Sequence, residues 1–123
     1  MDTQGRHLLV EYLGCSPNIL NRVKDIQGMM EEAAKAANTV IVASVFQPFE
    51  PQGVSGVVVI EESHLSIHTW PEFQYAAVDF YTCGKGVPDE AHKVLLAGLE
   101  AQKYEIMRVA RGNLKGGPSM KVY

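Results

Sequence analysis

Apolar residues recur at helical spacing in two stretches of the chain. In the first stretch they alternate in steps of four and three: Ile19, Val23, Ile26, Met30, Ala33 and Ala37. This spacing predicts one helix with a single apolar stripe. Ser16 and Pro17 form a typical helix start, because serine caps the backbone and proline fits the first helical position. A second helix is predicted from Pro88, with three apolar residues on one side: Ala91, Leu95 and Leu99.

Runs rich in β-branched and aromatic residues predict the strands. They extend over Gly5 to Cys15, Thr39 to Phe46, Val54 to Ile60, His64 to Trp70, Tyr75 to Cys83 and Lys103 to Val109. The third run is apolar on both faces, which is typical of a central strand covered on both sides. Residues 47–53, between the second and third runs, contain two prolines and a glycine and are expected to form a loop.

The order of these elements indicates the fold class. One strand, a helix, several strands, a second helix and a last strand predict an α+β two-layer sandwich, a mostly antiparallel sheet with two helices on one face. A chain of 123 residues fits a single domain, residues 1–123. Residues 112–123 show no clear periodicity and are expected to form a flexible tail or an arm that depends on a partner.

Composition and charge exclude several classes of protein. The net charge of -3 and the scattered basic residues leave no broad basic surface, so no nucleic-acid partner is expected. No apolar run approaches the roughly 20 residues of a membrane-spanning helix, and the first residues lack an apolar signal core. We therefore expect a cytoplasmic protein with no membrane partner and a small-molecule substrate. Cys15 and Cys83 are too few for a disulfide framework or a zinc site. We expect Cys15 to be a small buried hydrophobe.

The stretch from residue 53 to residue 72 concentrates serine, histidine and glutamate beside an apolar strand. Ser63 precedes His68 by five residues, and a straight strand would hold them about 17 Å apart on opposite faces. They meet only if the chain bends between Glu61 and His64. A bent, strained peptide before a serine suits an intramolecular acyl shift, because the hydroxyl must closely approach the preceding carbonyl carbon.

The same stretch is compatible with two other chemistries. A hydrolase dyad is disfavoured because no Gly-x-Ser-x-Gly elbow is present. His64, Ser66, His68 and Trp70 share one face of the predicted strand, so the two histidines could form a metal pair. No obvious third ligand accompanies them, and we expect no metal.

Four segments together resemble the small prokaryotic S-adenosylmethionine decarboxylases, which depend on a pyruvoyl group. They are Gly-Val-Ser-Gly-Val-Val at 53–58, Glu-Ser-His-Leu-Ser-Ile-His-Thr-Trp-Pro-Glu at 62–72, Gly5-Arg6-His7 and Tyr81-Thr82-Cys83-Gly84. The resemblance runs in register from Met1 to about Gly86 and continues more weakly to Arg111. It implies a proenzyme that cuts itself between Glu62 and Ser63 into chains 1–62 and 63–123.

The resemblance also implies roles for individual residues. The Ser63 hydroxyl attacks the Glu62 carbonyl, and elimination and hydrolysis convert Ser63 into a covalent pyruvoyl group that forms the Schiff base with the substrate. Ser55 stabilises the tetrahedral adduct and His68 removes the proton for elimination. Cys83 donates a proton to the substrate α-carbon. Without the resemblance, a lone cysteine at a strand end is more often packing.

Further residues match family positions that contact the substrate. Phe49 corresponds to an aromatic residue that stacks on adenine, and Glu72 to a carboxylate that binds the ribose hydroxyls. Trp70 would line the pocket, and Glu11 matches a supporting acidic position. By themselves, Phe49 could anchor a loop, Trp70 could be a core residue and Glu72 a solvated turn charge. The family builds its sites from two protomers, so a homo-oligomer, a dimer of processed protomers, is expected.

The function implied is decarboxylation of S-adenosylmethionine, which supplies the aminopropyl donor of spermidine synthesis. The nearest alternative is a pyruvoyl-dependent arginine or ornithine decarboxylase, in which Glu50 would pair with a basic substrate side chain. An alternative of another class is an uncleaved homologue that acts only as a regulatory subunit. Ser55, Ser63, His68 and Cys83 are all present, and nothing in the sequence favours that alternative.

Overall fold

A computed structural model describes residues 3–123 as one antiparallel sheet with helices packed on it. Met1 and Asp2, which the predicted domain and the resemblance include, lie outside the described residues. The strands are β1 (Gly5–Leu13), β2 (Val40–Pro48), β3 (Val54–Glu61), β4 (Ser63–Trp70), β5 (Tyr75–Cys83), β6 (Lys103–Arg111) and β7 (Lys121–Val122). The helices are α1 (Pro17–Leu20), α2 (Val23–Ala36) and α3 (Pro88–Gly98), and a 3-10 turn at Pro71–Phe73 joins β4 to β5.

The strands follow the order β2-β3-β4-β5-β1-β6-β7, and each neighbouring pair is antiparallel. β1 lies between β5 and β6 and pairs along its whole length with both strands. The predicted α+β sandwich with an antiparallel sheet is confirmed. Among residues 3–123, no helix combines the length and the apolar character needed to span a bilayer.

Alternate residues of β1, β3, β4 and β5 face the helices and form the core. Buried side chains of the sheet meet those of α2 and α3 in one cluster that includes Leu8, Val10, Val58, Leu65, Ile67, Phe80, Ile26, Met30 and Leu95. Each such side chain contributes about 1.5–3 kcal/mol when it is fully buried. The other face of the sheet carries the intervening residues. We call it the open face, because the helices of the described chain pack on the opposite side.

The first predicted helix is divided into α1 and α2. Ser16 caps α1 as expected, since its hydroxyl accepts a hydrogen bond from the Ile19 backbone N–H. The chain leaves the helix at Asn21, whose side-chain oxygen accepts from the Gly53 N–H at 2.9 Å. The preceding Leu20 carbonyl accepts from the Thr69 hydroxyl at 2.7 Å. These partners come from distant segments, so the single helix predicted by spacing alone was wrong.

Three strand predictions also need correction. β3 is the second strand from one edge rather than a central one, and only one of its faces meets the helices. Val58 is fully buried, whereas Val59 on the open face is 41% exposed. β2 extends to Pro48, so the following loop is shorter than predicted. β1 ends at Leu13 instead of Cys15.

The stretch predicted to form a flexible tail or a partner-dependent arm contains a short strand at its end. Lys121–Val122 form the edge strand β7, in which Val122 pairs with Val109 of β6. The Tyr123 N–H donates to the Arg108 carbonyl at 3.0 Å. A strand of two residues is too short to give a periodic pattern, which explains why the sequence did not reveal it.

Candidate active site

Strands β3 and β4 form a tight hairpin, and Ser63 is the first residue after its turn. Ile60 pairs with Ser63, so Glu61 and Glu62 make the connection, and the chain bends directly before Ser63. Ser63 has a φ of 147°, a conformation that costs a residue with a side chain about 1–3 kcal/mol. Its hydroxyl oxygen is buried and has no hydrogen-bond partner within residues 3–123. The chain thus holds an unsatisfied hydroxyl in a strained position directly after Glu62.

Cys83 lies beside the same turn, at the end of β5. A cavity of about 500 Å³ is lined there by Asn38, Thr39, Glu61, Glu62, Cys83, Gly84, Lys85 and Gly86. The Cys83 side chain is partly exposed, in contrast to that of Cys15, which is fully buried. Burial raises the pKa of the Cys15 thiol to about 11, so it stays protonated in the core. Of the two thiols, Cys83 is the one that a ligand beside Glu62 can reach.

Ser55 and His68 form a hydrogen-bonded pair on the open face. They stand directly opposite each other on β3 and β4, and the distance between Ser55 Oγ and His68 Nδ1 is 2.7 Å. Either partner is the donor, depending on the imidazole tautomer. The contact puts a serine hydroxyl and an imidazole at one point of the open face.

This pair lies at the opposite end of the hairpin from Ser63. The bend precedes Ser63, so residues 63 to 68 run along one straight strand, where five steps span about 17 Å. The bend therefore does not bring Ser63 and His68 of one chain together. We call the two regions the Ser63 end, which includes Cys83, and the His68 end, which includes Ser55.

The residues matched to substrate contacts gather at the His68 end. Trp70 closes β4, and its ring stacks on Tyr75 at a centroid distance of 5.1 Å. The Tyr75 hydroxyl donates to the Glu11 carboxylate, with oxygen-to-oxygen distances of 2.6 and 2.7 Å. Burial and this hydrogen bond raise the pKa of Tyr75 to about 12, which keeps the donor proton in place. Tyr75 was missed by the sequence analysis, although it begins the strand that follows Trp70.

Phe49 and Glu72 lie in the two connections at this end. Phe49 is in the loop between β2 and β3 and is 51% exposed, while its N–H donates to the Gly53 carbonyl at 2.8 Å. Glu72 is exposed in the 3-10 turn after Trp70. These two side chains and Trp70 offer aromatic surface and a carboxylate to a ligand at the His68 end.

A second polar cluster was not predicted. Asp79 Oδ2 lies 2.6 Å from His7 Nε2 and 3.1 Å from His64 Nε2, and Ser66 Oγ donates to Asp79 Oδ1. An Arg111 nitrogen lies 3.1 Å from His7 Nδ1. Asp79 is the one charged residue in the otherwise uncharged strand β5, which is the signal that could have revealed it.

The cluster changes the interpretation of the two histidines of β4. His64 contacts Asp79, and His68 contacts Ser55, so these two histidines do not form a metal pair with each other. His7, His64 and Asp79 offer ligand atoms within 4.8 Å of one another. Both imidazoles contact the same carboxylate oxygen, and three hydrogen bonds to Asp79 account for this arrangement. Burial raises the pKa of Asp79, but these hydrogen bonds outweigh it and the net pKa is lowered.

Comparisons with known proteins agree with one another. A sequence profile described as S-adenosylmethionine decarboxylase matches residues 6–112. The chain is 46% identical over 113 residues to an S-adenosylmethionine decarboxylase proenzyme of Pyrococcus horikoshii, covering 91% of this chain and 81% of that protein. A proenzyme of the same name from Moorella thermoacetica is 49% identical over 113 residues, covering 91% of this chain and 90% of that protein.

A solved structure shows the same fold. The crystal structure of the adenosylmethionine decarboxylase from Aquifex aeolicus superposes with a TM-score of 0.80 and is 36% identical in sequence. The match covers 88% of this chain and 90% of that chain. The similarity therefore extends over nearly the whole length of both proteins.

Proposed function

The chain belongs to the S-adenosylmethionine decarboxylase family, and we propose that it is a proenzyme that cuts itself between Glu62 and Ser63 and decarboxylates S-adenosylmethionine. The observation that carries the self-cleavage is the Ser63 hydroxyl, which is buried, unpartnered within residues 3–123 and held at a φ of 147°. A buried hydroxyl without a partner costs about 1–3 kcal/mol. Together with the strained backbone, this favours a role in chemistry over a role in packing.

The cleavage uses the chain's own atoms and one water molecule. Ser63 Oγ attacks the Glu62 carbonyl carbon, the bond from that carbon to the Ser63 nitrogen breaks, and an ester with a free amine results. A base removes the Ser63 α-proton, and the bond between Ser63 Cβ and the ester oxygen breaks. This step releases the new C-terminal carboxylate of Glu62 and leaves a dehydroalanine at position 63. One water molecule then hydrolyses the dehydroalanine, which releases its nitrogen as ammonia and leaves the pyruvoyl group. The products are chains 1–62 and 63–123.

The separation of the two ends supports a dimer in which each copy completes the site of the other. His68 lies too far along β4 to serve Ser63 of its own chain, so we propose that it serves Ser63 of a second copy. Antiparallel packing of two open faces would place the Ser63 end of one copy against the His68 end of its partner. The open face also exposes Leu9, Val59 and Met107, an apolar patch that such packing would bury.

The residues at the Ser63 end fit a pyruvoyl group. The group would occupy position 63, where the hydroxyl it replaces makes no hydrogen bond within residues 3–123. When present, it supplies a carbonyl that binds the substrate amine and accepts the electrons released with carbon dioxide. Cys83 lines the neighbouring cavity, and its thiol would donate the proton to the substrate α-carbon.

The His68 end supports a nucleoside substrate. Phe49 and Trp70 present aromatic faces, on which a base stacks for about 1–3 kcal/mol, and the Glu72 carboxylate can accept hydrogen bonds from ribose hydroxyls. Arginine and ornithine lack the ring that these residues would stack on. The product, decarboxylated S-adenosylmethionine, would serve as an aminopropyl donor in spermidine synthesis. Carbon dioxide release from the three substrates tests the assignment, and equal or faster turnover of arginine or ornithine would reverse it.

A further inference from the structure

We propose that Asp79 is a positioning residue that holds the start of β4 in place after cleavage, when the pyruvoyl group has become the free end of that strand. The inference rests on the proposed self-cleavage. It assigns a role to the cluster of Asp79, His64, Ser66 and His7, which the cleavage chemistry does not use.

Asp79 ties the beginning of β4 to β5 at two points. His64 follows Ser63 directly and contacts Asp79 Oδ2 at 3.1 Å, and Ser66 donates to Oδ1 of the same carboxylate. Both side chains project from the open face of the same strand. One carboxylate therefore holds the first and third residues after Ser63.

Ser63, the first residue of β4, is restrained by backbone pairing on one side only once the bond to Glu62 is gone. A new chain end frays unless it is tied down, because its last residues lose the restraint of the continuing chain. Pairing of β4 with β5 begins only at His64, opposite Tyr81. Ser63 makes its one pairing with Ile60, at the hairpin connection that cleavage would open. His64 to His68 pair with both β3 and β5, and the side-chain contacts to Asp79 add to this pairing directly beside the new chain end.

The remaining partner of Asp79 comes from the other product chain. Arg111 can only donate, so His7 Nδ1 accepts its hydrogen bond and the His7 proton lies on Nε2, directed at Asp79 Oδ2. The Arg111 guanidinium also lies over the Tyr81 ring, 4.4 Å from its centroid. His7 would belong to chain 1–62 and His64 to chain 63–123. Both imidazoles contact Asp79 Oδ2, but only that of His64 adjoins the pyruvoyl position.

This relationship supplies a matched pair of variants. His64→Ala and His7→Ala each remove one donor to Asp79 Oδ2, and only His64→Ala frees the start of β4. His64→Gln restores a side-chain N–H donor of similar reach. Each substitution is made in the full chain and also in a Ser63→Ala background, in which the bond between residues 62 and 63 stays intact.

The measurement is amide hydrogen exchange of the peptide that covers residues 63–70, followed by mass spectrometry. In cleaved protein we expect His64→Ala to speed exchange by about tenfold or more, the effect of losing a hydrogen bond to a charged group. His64→Gln should restore slow exchange. His7→Ala in cleaved protein, and His64→Ala in the Ser63→Ala background, should stay within about twofold of their parents.

Three results would overturn the proposal, and the last is distinguishable from the first two. Cleaved His64→Ala protein with unchanged exchange, or with the same increase in the uncut background, would show that Asp79 does not act on the new chain end. An intact mass corresponding to one uncut chain in the parent protein would instead remove the self-cleavage on which the proposal rests. The rate at which hydroxylamine traps the ketone of fragment 63–123 provides a second readout, which should rise with His64→Ala and not with His7→Ala.

Discussion

Ser55 and His68 contact each other across β3 and β4, with Ser55 Oγ 2.7 Å from His68 Nδ1, at the opposite end of the hairpin from Ser63. A proenzyme that needs these residues for cleavage at Ser63 must obtain them from a second copy of the chain. Cys83 and the residues matched to nucleoside contacts likewise lie at different ends of the hairpin. The division between the ends leads to the first prediction.

Cleavage should be restored by combining two inactive variants. Ser63→Ala and His68→Ala chains should each remain uncut when expressed alone, because one lacks the nucleophile and the other the base. When they are expressed together, each mixed dimer contains one complete site, formed by Ser63 of the His68→Ala chain and His68 of the partner. Mass spectrometry should then show fragments of the His68→Ala chain only. If that chain stays uncut in mixed dimers, the two ends do not meet between copies.

The two fragments should stay together after cleavage. Chain 1–62 supplies β1, which lies between β5 and β6 of chain 63–123 and pairs with both over its full length. Separation would break both ladders and expose the core side chains Leu8 and Val10. Size-exclusion chromatography in native buffer should show both fragments in one peak, and denaturant should separate them. Loss of fragment 1–62 in native buffer would contradict the placement of β1 between β5 and β6.

Cys83→Ser should separate cleavage from turnover. The hydroxyl nearly keeps the volume of the thiol but scarcely ionises near neutral pH, so a packing role would leave turnover intact. As a proton donor, Cys83 should contribute about 10²-fold or more to carbon dioxide release. Cleavage should still occur, because Ser63 supplies the nucleophile. Cys15→Ala is the control: it alters a fully buried thiol and should change stability without a comparable loss of turnover. Cleaved Cys83→Ser protein with parental turnover would make Cys83 structural.

Phe49→Ala should weaken binding of S-adenosylmethionine by about 1 kcal/mol or more through the loss of stacking. The measurement is the KM of carbon dioxide release, with fragment masses checked to confirm that cleavage is complete. Phe73→Ala provides a matched control, since Phe73 is an exposed phenylalanine of the 3-10 turn that has no assigned contact with the substrate. An equal rise in KM for both variants would argue against a specific role of Phe49.

The sequence predicted much of this architecture because alternation along a strand is a local property. The period of two put His64, Ser66 and His68 on one face, which the burial pattern of β4 confirms. The partners of these residues depend on register between strands that are distant in the chain. His7 and Asp79 are 72 residues apart, and no local pattern pairs them.

The dependence on contacts between distant segments also accounts for the predictions that were wrong. The first helix breaks because Asn21 binds the backbone of Gly53, a contact that spacing within the helix cannot reveal. The bend before Ser63 was predicted from the chemistry it would serve, yet its position leaves Ser63 and His68 on one straight strand. Site residues that share a motif in sequence are thus divided between two ends of the open face.

The intact mass of the purified protein under denaturing conditions tests the central claim most directly. We predict two fragments, residues 1–62 and 63–123, that together account for the 13.5 kDa chain. The second fragment should resist Edman degradation because a pyruvoyl group replaces its amino terminus. The Ser63→Ala protein should give a single uncut chain, since alanine has no hydroxyl for the acyl shift. A parent protein that remains one 13.5 kDa chain after long incubation would contradict the account.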